Sequence, residues 1–169
     1  MIDIKVDDKG VIQLLKRLEQ KMGDMTPVMR AIAGIMHDAV EQNFEEEGRP
    51  KWKPLSPATI MQREKKGHWP GKILQASGQL ASSINSRATS NSAIVGTNKK
   101  YAAIHQLGGK TKAHIIKPRH KAALFFPGLK HPVKSVNHPG SKIPARPFLK
   151  LDDRALEAIK RAIMEYMVK

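Results

Sequence analysis

Five of the seven histidines fall between positions 105 and 138: His105, His114, His120, His131 and His138. Imidazoles in that number invite a metal ion. His105, inside the stretch "YAAIHQLGG" (101–109), also invites a general base. Neither chemistry has its supporting groups. The spacings of 9, 6, 11 and 7 residues fit no tight ligand motif. Between Glu64 and Asp152 the chain has no aspartate or glutamate. No neighbouring carboxylate can therefore complete a metal site or orient an imidazole. The serines of "SGQLASS" (77–83) lack the G-x-S-x-G elbow of a nucleophile. Neither the GxxxxGK[ST] loop nor the GxGxxG fingerprint occurs, and "GTNKK" (96–100) is too short for a phosphate loop. With no cysteine, thiolate ligands and disulfides are excluded. The sequence predicts no catalytic residue, no metal and no cofactor. His37 and Asp38 sit beside the apolar stripe of a predicted helix and read as its solvated flank.

The acid-free segment is the strongest chemical signal. Residues 65–151 hold 16 Lys/Arg, leaving 14 of the 30 bases for the rest of the chain against all 15 acids. The whole net charge of +15 thus belongs to the middle. Such a field attracts polyanions or acidic protein faces, and charge alone does not choose between them. Aromatic residues are only 5%, too few for a surface that stacks bases. Phe125 and Phe126 are adjacent and would point to opposite faces of a strand. No helix-turn-helix or zinc-finger spacing occurs. Sequence-specific reading of bases is not expected. Non-specific contact with phosphates stays open, through Lys110, Lys112, Lys117, Arg119, Lys121, Lys130 and Lys134.

The elements that would carry these groups follow from periodicity and punctuation. "IDIKV" (2–6) alternates as a half-buried strand does. Val11, Leu14, Leu15, Leu18 and Met22 predict an amphipathic helix over 9–22, stopped by Gly23. Thr26 and Pro27 start a second helix, with Thr26 as its cap. Its stripe runs through Val28, Ile32, Ile35, Met36, Ala39, Val40 and Phe44 and ends in acidic "EEEG" (45–48). "RPKWKPLSPATI" (49–60) reads as an extended loop anchored by Trp52. Ser56 caps a short helix from Pro57 towards Lys66. "ILQASGQLASSI" (73–84) shows helical spacing, with Ser77 as a candidate cap. "SAIVGT" (92–97) reads as a strand. "YAAIHQL" reads as a short helix turning Tyr101, Ile104 and Leu107 to the core and His105 to its flank, ended by Gly108. "AHIIKP" (113–118) and "AALFFPG" (122–128) read as a hairpin, and 129–142 as a loop or arm. Asp152 or Asp153 caps a last helix whose buried face is Leu156, Ile159, Ala162, Ile163, Tyr166 and Met167.

This order predicts an α+β fold. It has a small mixed or antiparallel sheet packed by N-terminal and C-terminal helices, with a long basic hairpin or arm at about 109–142. A length of 169 residues suits one domain, 1–169, with its own core. The N-terminus lacks a signal-peptide pattern and no apolar run reaches a membrane span. A soluble intracellular protein without membrane contact is expected.

Four segments in this order, "GRPKWKPLSPAT" (48–59), "ILQASGQLASSI" (73–84), "AIVGTNKKYAAIHQLGG" (93–109) and "IPARPFLKL" (143–151), resemble the phage virion-morphogenesis, or tail-completion, family of Mu-like and P2-like phages and prophages. The similarity spans most of the chain. It implies a non-enzymatic structural protein of the virion, assembled in the bacterial host cytoplasm. It implies a place at the head–tail junction (tail completion, tail terminator or neck) as a homo-oligomeric ring. The partners implied are other neck, tail-tube or connector proteins, with DNA in the lumen as a non-specific contact. The alternative is a basic accessory protein that binds nucleic acid non-specifically. Trp52, Pro54, Leu55, Tyr101, His105, Pro147 and Phe148 are the candidate anchors or interface residues. Trp52 reads as core rather than interface, and Phe148 as either. Glu45–Glu47 could pair with the basic middle of a neighbouring subunit.

Overall fold

Helix α2 (Thr26–Glu45) is the axis around which the rest is arranged. The computed structural model describes residues 9–119, 122–125 and 130–168. The strand expected at 2–6 lies outside them. α2 turns Val28, Ile32, Ala39, Val40, Asn43 and Phe44 inward, one face of a 3.6-residue repeat. Thr26 is the first residue of this helix rather than its cap. Its N–H donates to Asp24 Oδ1 at 2.9 Å, so the carboxylate two residues earlier meets one of the free N–H groups at this helix start.

Helix α1 (Lys9–Gly23) precedes it and ends where the sequence stops it. Its contact with the body is at its C-terminal end. Lys21 Nζ donates to the Tyr166 carbonyl at 3.0 Å, and the Tyr166 hydroxyl donates to the Asp24 carbonyl at 2.6 Å. Leu14, Leu15 and Met22 of its expected apolar stripe stay exposed, as does Ile12.

Helix α3 (Pro57–Glu64) begins as expected. Ser56 Oγ accepts from Thr59 N–H at 3.3 Å, and a proline occupies the first turn. The segment 73–84 is not the expected helix. It holds only a 3-10 turn, Ala81–Ser83, and the chain then enters strand β1 (Ile84–Ala88). Leu74 and Gly78 take φ of +62° and +70°, which no α-helix tolerates. Ile73 and Leu80 reach the core from a loop instead, so Ser77 caps nothing. β1 pairs with β2 (Ala93–Thr97) as an antiparallel hairpin, Ile84 opposite Thr97 and Ala88 opposite Ala93. This hairpin packs on α2.

Helix α4 (Ala102–Leu107) buries Ala102, while Tyr101 and Leu107 are exposed. The expected i, i+3, i+6 core face is therefore wrong by one position. Ala102 is its buried residue, and Ile104, His105 and Gln106 are half-buried.

The long basic hairpin or arm expected at about 109–142 is a two-stranded ribbon, but its strands are not the expected 113–118 and 122–128. β3 (Gly109–Lys110) pairs with β6 (Lys142–Ile143), and β4 (His114–Ile116) pairs with β5 (Val136–His138). Both ladders are antiparallel and share one register. A lone bridge joins Leu124 to Val133 further out. The partner of 114–116 is thus 136–138, not 122–128. "SVNH", which reads as loop by composition, supplies the second strand.

Helix α5 (Asp153–Val168) closes the fold against α2. Asp152 Oδ1 accepts from Ala155 N–H at 3.0 Å and caps it. Ala155 is its buried residue, with Ala158, Ile159, Ala162, Tyr166 and Met167 half-buried. Leu156 and Ile163 of the expected buried face are exposed. Alanines at the contact let the two helices approach closely, and the larger side chains are turned out. The architecture is α+β, with its strands in antiparallel pairs.

Candidate functional site: the anchor cluster, its cleft and the basic arm

Three aromatic rings make the anchor. Phe44 of α2 meets Trp52 edge-on at 5.9 Å between centroids and Phe148 at 5.3 Å. Such contacts add to the burial energy of each ring. Phe148 is fully buried and Trp52 nearly so. Both belong to the core with Val40, Ile73, Leu80, Ile84 and Ala102. Gly48 makes room for this packing: its φ is +96°, and a Cβ there would overlap the Trp52 indole. Trp52 Nε1 donates to the Pro147 carbonyl at 3.4 Å. The proline loop and the 143–149 segment are thereby joined side by side.

Polar side chains that sequence reading missed complete the junction. Gln106 Oε1 accepts from the N–H groups of Phe148 and Leu149, both at 2.9 Å. Asn43 Nδ2 donates to the carbonyls of Phe148 and Lys150 at 2.9 and 2.8 Å. Asn43 Oδ1 accepts from Arg49 Nε at 3.0 Å, and Arg49 Nη1 pairs with Asp152 Oδ2 at 3.0 Å. Arg146 is buried, donating from Nε to the Lys53 carbonyl at 3.0 Å and from Nη2 to the Pro54 carbonyl at 3.2 Å. Glu47, expected in an acidic patch with Glu45 and Glu46, is partly committed inside the chain. Its Oε1 accepts from Ile73 N–H at 2.7 Å. Asn43 had a readable signal: it occupies an apolar-stripe position, four residues after Ala39 and three after Val40. Gln106 and Arg146 had none, since their partners lie far off in sequence.

Beside this junction lies a cleft of about 880 Å³, lined by the proline loop, His105 and residues 141–146. Pro54, Leu55 and His105 therefore come together, with Pro54 exposed and Leu55 half-buried. Tyr101 sits edge-on to His105 at 6.1 Å between rings. His105 Nδ1 is buried and has no hydrogen-bond partner among the described residues. Burial, and then the positive charge of Arg146, hold this imidazole below the usual histidine value. Among the described residues no carboxylate lines the cleft, so none of them would orient His105 as a base.

The arm carries Lys110, Lys112, Lys117, Arg119, Lys130 and Lys134, all exposed. Lys121 lies outside the described residues. His114 and His138 are cross-strand partners with rings stacked at 5.1 Å. Ile115 and Phe125 are exposed on the same ribbon. On α2, His37, Asp38 and Glu41 bring one donor atom each within 4.8 Å of one another on an exposed flank. Exposed acids so placed are common without an ion. No helix among the described residues is long and apolar enough to cross a membrane.

A helical body, antiparallel strand pairs and a projecting basic ribbon are here joined by the tryptophan and proline–phenylalanine segments, and residues 6–168 match the phage virion morphogenesis family. The chain belongs to that family. It is 45% identical over 111 residues to "Mu-like prophage FluMu G protein 2" of Haemophilus influenzae, covering 65% of this chain and 72% of that protein. "Mu-like prophage FluMu G protein 1" of the same organism is 35% identical over 112 residues, covering 63% and 75%. "Putative capsid assembly protein G" of Escherichia phage Mu is 32% identical over 112 residues, covering 64% and 71%. No solved structure matches.

Proposed function

We propose that this chain is a structural, non-enzymatic assembly protein of the phage head–tail junction, acting in tail completion, as a tail terminator or in the neck, and built as a ring of copies. It would be put together in the bacterial host cytoplasm and meet neck, tail-tube or connector proteins there. The observation that carries this reading is the arm. A ribbon of paired strands leaves a packed body and presents six exposed bases at Lys110, Lys112, Lys117, Arg119, Lys130 and Lys134. Reach of this kind serves contact with unlike neighbours. Self-association is supported by the apolar side chains left exposed on α1 and by Leu156 and Ile163 on α5. A non-enzymatic role is supported by the lack of any carboxylate beside His105 among the described residues.

The test is to image particles carrying a tagged copy. The expected result is symmetric density between head and tail, and loss of joined particles when the chain is deleted. Density confined to the capsid shell, or normal particles without the chain, would overturn the reading. A second reading has its own support: an arm with no carboxylate is suited to contact DNA phosphates without sequence preference.

A further inference from the structure

The cleft between the proline loop and residues 141–146 has the size of a ligand site, about 880 Å³. Its charged lining is all of one sign. Lys53, Arg63, Lys142 and Arg146 face it, with His105 beside them and no carboxylate among the described residues. Arg146 uses Nε and Nη2 on the carbonyls of the proline loop, which leaves Nη1 without a hydrogen bond among the described residues. Arg63 spends Nη1 on the Lys72 carbonyl and keeps the rest of its fork. The orphaned Nδ1 of His105 adds one more unmet polar atom. Of these atoms only His105 Nδ1 is buried, and a buried polar atom without a partner is costly, so a ligand that meets it relieves that cost.

The remaining lining is apolar: Pro54, Leu55, Leu74, Ile143 and Pro144. A strand edge is present as well. Ser141 turns both its backbone groups to Thr111: its carbonyl accepts from the Thr111 N–H, and its N–H donates to Thr111 Oγ1. In an antiparallel ladder successive residues turn their backbone groups alternately to and from the partner. Lys142, next in line, therefore turns its N–H and C=O away from β3, where an added strand can use them.

We propose that this cleft docks an extended acidic segment of a partner protein, its carboxylates on Arg63, Arg146 and Lys142 and its apolar side chains on Leu55 and Ile143. Duplex DNA fits the same charge but not the same walls. Its phosphates lie on a broad surface and offer nothing to the apolar residues or to a strand edge. The inference deepens the assembly reading by giving a partner its chemistry. Its assay uses purified protein alone, so it stands or falls separately from where the chain sits in a particle.

The probe is a fluorescein-labelled heptapeptide of alternating glutamate and valine, titrated by anisotropy. The controls are the same peptide with glutamine for glutamate and a labelled 20-base-pair duplex. The expected result is saturable binding of the glutamate peptide, about tenfold tighter than the glutamine one, the worth of one charge-assisted hydrogen bond. Arg63→Glu with Lys142→Glu should weaken it by at least about tenfold with a cooperative melting transition retained, since neither side chain is buried. Lys99→Glu with Lys100→Glu, equally charged but outside the cleft, should change it less than about twofold. Absence of saturable binding, equal affinity for both peptides, or equal losses in both double variants would overturn the proposal. So would a duplex that binds through Arg63 and Lys142 while the glutamate peptide does not.

Discussion

Asn43 holds three segments together with one side chain. It donates to the carbonyls of Phe148 and Lys150 and accepts from Arg49. Its exposure is 1%, so water cannot replace these partners. Asn43→Ala strands two carbonyls and one guanidinium N–H. The expected loss is about 2–4 kcal/mol of unfolding free energy. Urea denaturation checks it, and a change under about 0.5 kcal/mol would mean that the junction relaxes around the gap. Large aromatics were easier to place from sequence. Trp52 reads as core from its sequence setting, and it is buried. Whether Phe148 faced a core or a neighbour was not legible, because the residues that cover it come from α2 and the proline loop, about a hundred positions earlier.

At the scale of elements, periodicity served the long helices and failed the short segments. α1, α2 and α5 each repeat their apolar residues over several turns, so chance matches are averaged away. In 73–84 three apolar residues at helical spacing were enough to mislead. Gly78, inside "SGQ", was the contrary signal, since a glycine within a helical pattern lowers its worth. β1, "INSRA", has one buried residue and no alternation to detect. The strand pair at the arm's root depends on Gly108. Its φ of +74° and ψ of 179° lie in a region open almost only to glycine. A Cβ there would stand 2.7 Å from the Ala145 nitrogen. Gly108→Ala should cost about 1–3 kcal/mol and loosen the root. Limited proteolysis should then cut within 110–142 sooner than in the parent protein. Equal cleavage rates would show that β3 and β6 hold the ribbon without this residue.

At the scale of the whole molecule, charge is sorted by region. Acids cluster on α2 and near the start of α5, while the cleft and the arm carry bases alone. This sorting was legible, because it needs only the order of residues. That the acid-free stretch divides into a cleft wall and a projecting ribbon was not, because the division is made by pairing. The reading of the arm as a DNA contact belongs at this scale. On that reading, duplex affinity falls steeply with salt, and Lys112→Glu with Lys117→Glu lowers the slope of log affinity against log salt by about two. Affinity indifferent to salt would remove DNA from the partners. The arm's root has one more consequence. The chain leaves the body at Gly109 and returns at Ile143, directly opposite, so the body senses little of what lies between. Closing a longer excursion costs only about 0.6 kcal/mol for each doubling of its length. A change in the ribbon's length therefore takes little from the stability of the body, which holds both ends at one place.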